Sequence, residues 1–132
     1  MLALAPLQDQ QNQLLRKINL TTALVTTVAG TVGLPGTADG VGTAAGFNTP
    51  SGVTMNAAGT LALVADWQNS AVRRVNLTTG AVTTLAGKAG NVGTADGVGS
   101  SARFTYPVSV GIAPSGTFAL VVSGRERRAL QG

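Results

Sequence analysis

Hydrophobic and polar residues alternate over short segments that are separated by turn residues, which is typical of β-strands. The clearest series lies in the middle of the chain, where four segments of six residues follow one another. The predicted strands are SGVTMN (51–56), LALVAD (61–66), AVRRVN (71–76) and AVTTLA (81–86). The second is nearly continuously apolar, whereas the third and fourth place Arg or Thr among Val and Ala. This gradient predicts an antiparallel sheet that is buried at its first strands and exposed at its last.

The same pattern repeats at a distance of 57 residues without a gap. Residues 14–66 and 71–123 are identical at 27 of 53 aligned positions, and both copies contain the loop GTADGVG. The segment MLALAPL lacks a basic start and is interrupted at Pro6, so we interpret it as an incomplete first repeat and not as a signal peptide. A tandem duplication therefore organises the chain.

Four antiparallel strands repeated at a fixed period are typical of a β-propeller blade. The predicted fold class is all-β, a partial β-propeller built from four-stranded antiparallel blades with a 57-residue period. Residues 1–124 would form it, with the end of a blade at 14–30, a complete blade at 51–87 and the inner half of a blade at 108–123. Closed propellers contain roughly four to eight blades. We therefore expect a segment of a larger propeller, a truncated product, or a subunit that closes by association.

The segment 50–75 is similar to an NHL repeat. Its Pro, its glycines, its alternating apolar residues, an Asp–Asn pair and an Arg fall in positions that such repeats commonly fill. These residues are Pro50, Gly52, Val53, Gly59, Leu61, Val64, Ala65, Asp66, Asn69, Val72, Arg73 and Val75. The resemblance covers nearly the whole chain up to residue 123 and implies a propeller fold. Some NHL propellers bind single-stranded RNA through a basic face, and some related propellers are metal-dependent enzymes with acidic and His ligands.

Composition narrows the possible chemistry. The 132 residues include no Cys and no His, which excludes a disulfide scaffold, thiolate metal sites and His-based catalysis. Nine basic and five acidic residues give a net charge of +4, and three of the Arg lie in a basic tail, RERRALQG, at 125–132. The other basic residues, Arg73 among them, are spread along the chain, which favours a solvated surface over a phosphate-binding stripe. We predict no enzyme activity, no catalytic residue, no metal site and no cofactor.

Two loops and two sequons contain candidate polar sites. Asp39 and Asp96 lie in the GTADGVG loops, where one carboxylate falls far short of the roughly six to eight oxygen ligands of Ca²⁺, so we predict ordinary turns. Asn19 and Asn76 begin Asn-Leu-Thr sequons, which would accept glycans in a secreted protein but also fit the turn between the third and fourth strands. The NHL resemblance implies that Asp66, with Asn69, is a structural turn residue.

The single Trp of the chain, Trp67, lies at a predicted turn tip. An exposed aromatic residue at such a tip is a frequent binding anchor. Propeller topology would place the turn between the second and third strands on the same face as the long connections between blades. The other candidate binding residues on this loop face are Gln68, Arg103, Tyr106, Asp39 and Asp96.

These observations favour a non-catalytic NHL-repeat propeller segment that acts as a protein-interaction scaffold. RNA binding is the alternative from another class, although three Phe, one Tyr and one Trp offer few surfaces for base stacking. A truncated product without independent function is the third possibility. We expect no membrane-spanning helix, because no apolar run approaches ~20 residues, and we expect open blade edges able to pair with another copy. The sequons hint at the secretory route, and the compartment stays open.

Overall fold

The computed structural model describes residues 12–124 of the chain. Nine β-strands and three short 3-10 turns make up the regular structure of this part, which contains no α-helix. The strands are β1 (Leu14–Ile18), β2 (Val25–Gly30), β3 (Gly40–Val41), β4 (Pro50–Met55), β5 (Leu61–Asp66), β6 (Ala71–Asn76), β7 (Ala81–Gly87), β8 (Pro107–Ile112) and β9 (Ala119–Ser123). The 3-10 turns span Gly42–Ala44, Trp67–Asn69 and Gly99–Ser101. The predicted all-β class is confirmed.

The strands form three antiparallel sheets. The central sheet has the order β3-β7-β6-β5-β4, and β1-β2 and β8-β9 each form a two-stranded sheet. Strands β4 to β7 are consecutive in the chain and lie within one residue of their predicted limits. The two-residue strand β3 pairs with the outer strand β7 through Gly40–Val82 and Val41–Ala81. The sequence predicts only a turn at this point, because the single residue Val41 between Gly40 and Gly42 carries no strand pattern.

Strand β5 is buried on both faces because it lies between two other sheets. Ala62 and Val64 pack toward the β1-β2 sheet, and Leu63 and Ala65 pack toward the β8-β9 sheet. The first cluster also contains Leu15, Ala29, Ala45, Phe47, Val75 and Val82. The second also contains Val72 and Val110. Side chains alternate between the faces of a strand, so burial of both faces explains why LALVAD is apolar at every position except the last.

The two long connections between sheets follow the same backbone path. In the first, the Gly46 amide donates to the Ala38 carbonyl at 2.9 Å. In the second, the corresponding Arg103 amide donates to the Ala95 carbonyl, also at 2.9 Å. Each connection then contains a 3-10 turn closed by a hydrogen bond of 3.2 Å. The repeated sequence therefore gives a repeated loop structure.

The remaining predictions on organisation concern the two ends of the chain. The hairpin β1-β2 lies within the predicted segment 14–30, and β8-β9 extends one residue before the predicted segment 108–123. The incomplete repeat containing Pro6 and the tail at 125–132 lie outside the described residues. Between residues 12 and 124, no helix has the length and apolar character needed to cross a membrane.

Candidate functional site

A buried arginine on β6, Arg73, joins the central sheet to the connection that precedes it. Its Nη1 donates to the Asp66 carboxylate at 2.9 Å and to the Gly46 carbonyl at 2.7 Å. Its Nη2 donates to the Asp39 carboxylate at 3.0 Å and to the Ala38 carbonyl at 2.9 Å. The side chain is only 1% exposed, so the interpretation of Arg73 as a solvated surface charge was wrong. We call Arg73, Asp66 and Asp39 the ion cluster.

The ion cluster can be buried because its charges compensate one another. A buried charge without a partner costs several kcal/mol, whereas this guanidinium faces two carboxylates and two carbonyls. Its centre also lies 5.5 Å from the centroid of the Phe47 ring, within cation–π distance. The Nε atom of Arg73 has no hydrogen-bond partner among the described residues. The cluster therefore fixes the connection through both charge and packing.

Asp66 is the fully buried member of the ion cluster. Its carboxylate accepts hydrogen bonds from the Asn48 amide at 2.8 Å and from the Asn69 side chain at 2.7 Å, in addition to the bond from Arg73. Burial raises the pKa of Asp66 to about 6, although these hydrogen bonds and the charge of Arg73 oppose the shift. The residue joins β5 to the segment before β4 and to the turn after β5, which gives it structural contacts on both sides.

Asp39 lies at the outer edge of the central sheet, not at the end where the turn after β5 lies. Its carboxylate is half exposed, pairs with Arg73 at 3.0 Å and accepts a hydrogen bond from the Thr84 hydroxyl at 2.9 Å. The neighbouring residues Gly40 and Val41 form strand β3. The prediction that Asp39 shares a loop face with Trp67 was therefore wrong, because the connection runs along β7 as a strand.

Asn69 and Ser70 shape the turn after β5. The side-chain nitrogen Nδ2 of Asn69 donates to the Asp66 carboxylate and to the Gly36 carbonyl at 2.8 Å. Asn69 therefore also holds the start of the preceding connection. Ser70 has a φ of 50°, in the left-handed region that lets the chain enter β6. Both residues are buried, and their contacts lie within the fold.

Trp67 is buried and not an exposed loop tip. Its side chain is 4% exposed, and its ring centroid lies 4.8 Å from that of Tyr106 with the planes tilted by 30°. Tyr106 immediately precedes β8, so the two rings join the central sheet to the next one. The expectation of an exposed aromatic anchor at Trp67 was wrong, because the third sheet covers the turn.

The remaining candidates of the predicted loop face are separated from one another. Gln68 is exposed beside Trp67, and its backbone amide donates to the Asn48 carbonyl at 3.0 Å. The Arg103 guanidinium donates to backbone carbonyls of its own connection, those of Ser100 and Ala102. Asp96 is exposed in the second connection. Of the six predicted binding residues, the structure brings Trp67, Gln68 and Tyr106 to one end of the central sheet.

The two sequon residues close equivalent turns. The Asn19 side-chain oxygen accepts hydrogen bonds from the amides two and three residues later at 2.9 and 3.0 Å. The Asn76 side chain does the same at 2.9 and 3.1 Å. Both residues are exposed, and the side-chain bonds give each Asn a structural reason to occupy the turn.

An apolar cleft of about 470 Å³ opens between β1 and β4. Its wall comes from both strands, from β2 and β5, and from the turns after β1 and β6. The lining residues are Leu15, Arg16, Lys17, Ile18, Leu20, Val28, Val53, Thr54, Met55, Ala62 and Leu77. Residues 12–124 contain no group of three or more His, Cys, Asp or Glu side chains that could hold a metal ion.

Sequence reasoning missed the ion cluster. The relevant signal is that Arg73 and Asp66 lie on adjacent strands of one predicted hairpin, where a cross-strand charge pair is expected. The partnership with Asp39 spans 34 residues and depends on a connection whose path is not encoded locally. The burial of both groups could not be read from charge counts alone.

Similarity to known proteins is limited to solved structures. No family profile and no curated protein sequence matches this chain. A Bacteroides thetaiotaomicron protein of unknown function superposes with a TM-score of 0.76 at 22% identity, covering 88% of this chain and 28% of that one. An auxiliary nutrient binding protein from the same species has a TM-score of 0.68 at 25% identity, covering 84% of this chain and 30% of that one.

A third structure from Bacteroides thetaiotaomicron has a name that suggests a phosphatase. Its TM-score is 0.64 at 22% identity, with 90% of this chain and 32% of that chain covered. The chain thus spans less than one third of the length of each of these structures. At such identities the likeness concerns the fold.

Proposed function

We propose that the chain is a segment of an NHL-type β-propeller that serves as a non-catalytic scaffold for protein partners. Strands β4 to β7 have the consecutive antiparallel order of a propeller blade, and β5 is covered on both faces as an inner strand should be. The β1-β2 and β8-β9 hairpins would then be parts of the neighbouring blades. The 57-residue repeat supports the same arrangement.

The observation that carries the proposed role is the ion cluster. It fastens a long connection to its blade through a buried Arg73, two carboxylates and two backbone carbonyls. Binding residues are often found on loops that a rigid scaffold positions. The Asn69 side chain donates to Asp66, so the cluster also holds the turn after β5, and a partner would bind this turn without ordering it first.

The surface that best fits a partner is the end of the central sheet formed by the turn after β5. Gln68 is exposed there, next to the buried Trp67, whose ring packs against the half-buried Tyr106. The two rings hold the turn against the next sheet, so Gln68 stands on a rigid base. This surface is the part of the predicted loop face in which the candidates come together.

A binding role is favoured over catalysis by the chemistry of the chain. The sequence has no His and no Cys, and two of its five acidic residues belong to the ion cluster. The name of the neighbour that is 25% identical refers to nutrient binding, which supports a binding role in a related fold. RNA binding is less well supported, because Trp67 and Tyr106 stack on each other and leave no free ring face between them.

The proposal is tested with a partner identified by chemical cross-linking and then purified. Its affinity is measured for the wild type, for Gln68→Arg at the proposed surface, and for Thr78→Arg, an exposed position in the turn between β6 and β7. We expect Gln68→Arg to weaken binding by about tenfold or more and Thr78→Arg to leave it unchanged.

Equal affinities for the two variants would overturn the proposed surface. A fluorescent single-stranded RNA serves as the competing probe, at about 50 and 200 mM salt. Tight binding of this RNA with a steep loss of affinity at the higher salt would replace the protein scaffold by a nucleic-acid scaffold.

A further inference from the structure

The two outer hairpins correspond to different halves of the central sheet. A shift of 57 residues places β8-β9 on β4-β5 and β1-β2 on β6-β7. Within residues 12–124, β9 pairs only with β8 and β1 pairs only with β2. The free edge of β9 therefore corresponds to the edge by which β5 pairs with β6. The free edge of β1 corresponds to the matching edge of β6.

The register of the central sheet predicts how these two edges would pair. In that sheet Ala62 lies opposite Val75, and Val64 lies opposite Arg73. The same register, shifted by one repeat, places Ala119 of one copy opposite Ile18 of another copy. It also places Val121 opposite Arg16. The repeats preserve part of these strands, since Ala, Leu and Val at 62–64 recur at 119–121 and Arg16 recurs as Arg73.

Exposed apolar side chains on β9 match the apolar cleft beside β1. Leu120 and Val122 are 71% and 57% exposed, although their equivalents Leu63 and Ala65 are buried. In the central sheet, Leu63 and Ala65 pack with Val72 and Val110. The equivalents of those two residues are Leu15 and Val53, and both line the cleft of about 470 Å³. The apolar side chains of β9 would thus fill an apolar cleft at the position that the repeat predicts.

Charged residues near the two free edges are equivalent to members of the ion cluster. Asp39 binds Arg73 and Thr84 at the outer edge of the central sheet. The equivalent trio is Asp96, Arg16 and Thr27, of which Asp96 lies in the second connection and the other two lie on the β1-β2 hairpin.

The two residues after Asp96 also have equivalents in the first connection. Gly97 and Val98 are equivalent to Gly40 and Val41, which form strand β3 on the edge of β7. Val98 is 90% exposed, compared with 59% for Val41. Pairing with the edge of β2 in another copy would give Val98 the environment that Val41 already has.

We infer that β8-β9 of one copy joins β1-β2 of a second copy to form a composite four-stranded blade. This inference rests on the proposed propeller architecture and adds its partner, a second copy of the same chain. The described residues of each copy would contribute one complete blade and two half-blades. Three copies would close a ring of six blades, and three segments of this size span most of each similar solved chain.

Other segments of the chain fit the free edges less well. Residues 128–132 would follow β9 as 71–75 follow β5, but the two segments share no identical residue. The segment 4–9 aligns with β5 and contains Pro6, which lacks the amide that a central strand donates to its neighbours. The chain's own 14–18 is the segment that preserves the Arg of β6.

Two substitutions between the repeats make the composite blade weaker than the central one. Gly52 lies so close to β8 that a β-carbon would meet the Val108 carbonyl oxygen at 2.8 Å, and its equivalent on β8 is Ser109. The equivalent of Asp66 is Ser123, so Arg16 would face one carboxylate from β9 and its loop instead of two. The inference therefore predicts that Ser109→Gly strengthens association.

A disulfide across the composite blade tests the register directly. The chain has no Cys, so Ala119→Cys combined with Ile18→Cys introduces the sole thiols. These positions lie in sheets on opposite sides of the central sheet, so a bond between them joins two copies. We expect mild oxidation to give covalent closed oligomers, and the control pair Ala119→Cys with Thr78→Cys to give none. Equal cross-linking of both pairs would overturn the register.

The mass of the chain in solution tests the assembly itself. We expect light scattering to show a trimer that dissociates on dilution. Asp96→Arg should weaken it by at least about tenfold, the double variant Asp96→Arg/Arg16→Asp should restore it, and Arg74→Asp on an exposed site should not change it. Ser109→Gly should shift dissociation to lower concentration.

A folded, β-rich monomer at high concentration would overturn the composite blade and leave the proposed scaffold role intact. A monomer without β-structure would overturn the composite blade too, because a second copy would then fail to complete the fold. Trimers that form equally with Asp96→Arg would overturn the role of the charge pair and of this interface.

Discussion

The two GTADGVG loops have the same sequence and equivalent backbone hydrogen bonds within their own connections, yet they differ in what holds them. In the first loop, Asp39 binds Arg73 and Thr84, and strand β3 pairs with β7. In the second loop, Asp96 is exposed and Gly97–Val98 forms no strand in the described part of the chain. Seven local residues therefore determine the shape of the loop. An arginine 34 positions further along the chain determines where the loop is fastened.

This difference separates the local residues that shape the loop from the distant residues that attach it. Glycines and hydrogen bonds between residues close in sequence can specify a loop wherever the sequence recurs. The attachment requires a sheet that follows the loop and offers a buried guanidinium. The first loop shows the attached condition and the second shows the same loop without its partner, so variants can convert one condition into the other.

Removal of Arg73, which holds the first loop, should have the largest effect on stability. Arg73→Met keeps much of the side-chain volume but leaves Asp66 buried beside no cation, so we expect a loss of about 3–5 kcal/mol in the free energy of unfolding. Urea unfolding followed by circular dichroism measures the loss. The adjacent exposed residue provides the control, because Arg74→Met should change stability by less than about 0.5 kcal/mol. Similar losses for the two variants would show that the ion cluster does not fasten the first loop.

The protonation of Asp66 should give an intermediate effect that depends on pH. Its pKa rises from 3.8 to about 6 on folding, so the folded protein binds this proton more strongly than the unfolded chain does. The stability contributed by this group is therefore full below pH 3.8 and is lost as the pH rises through about 6. The stability advantage of the wild type over Asp66→Asn should shrink between about pH 4.5 and pH 7, by at most about 1.4 kcal/mol per pH unit.

Parallel urea titrations of both proteins at the two pH values measure this trend. Asp96→Asn in the unattached loop controls for the removal of a carboxylate at an exposed site. An advantage that grows with pH would mean that Arg73 and the hydrogen bonds outweigh the burial of Asp66.

The smallest effect should be a local one in the loops themselves. The Gly46 and Arg103 amides donate equivalent hydrogen bonds, so their hydrogen-exchange rates compare the two loops directly. In dilute protein we expect slower exchange at Gly46, and we expect Asp39→Ala to accelerate it by about two- to fivefold, since the pair with Arg73 is half exposed. Asp96→Ala should leave Arg103 unchanged. Equal exchange in both loops of the wild type would remove the distinction between them.

The strands could be predicted from the sequence because their signals are local. Apolar alternation and Gly- or Asn-bearing turns place β4 to β7 within one residue of their observed limits. The repeat then locates the two outer hairpins. Even the burial of LALVAD on both faces follows from its continuous apolar character.

The candidate site was harder to predict because it depends on contacts between distant segments. Trp67 lies in a turn, and its burial becomes evident only once the next sheet supplies Tyr106. Arg73 looks like an ordinary surface charge until the preceding connection folds back along β7 and brings Asp39 to it. Residue type and spacing along one strand contain no record of that path.

Strand β3 also affects how the protein behaves at high concentration. An uncovered outer strand offers a row of free amides and carbonyls on which other chains can align and precipitate as fibrils. On β7, Gly40 and Val41 pair with Val82 and Ala81 and so cover part of this edge. The charged Asp39 covers the next part, where it accepts a hydrogen bond from Thr84. Side-to-side growth of the central sheet is therefore obstructed by three residues of a connection. We therefore expect these residues to favour colloidal solubility in addition to positioning the loop.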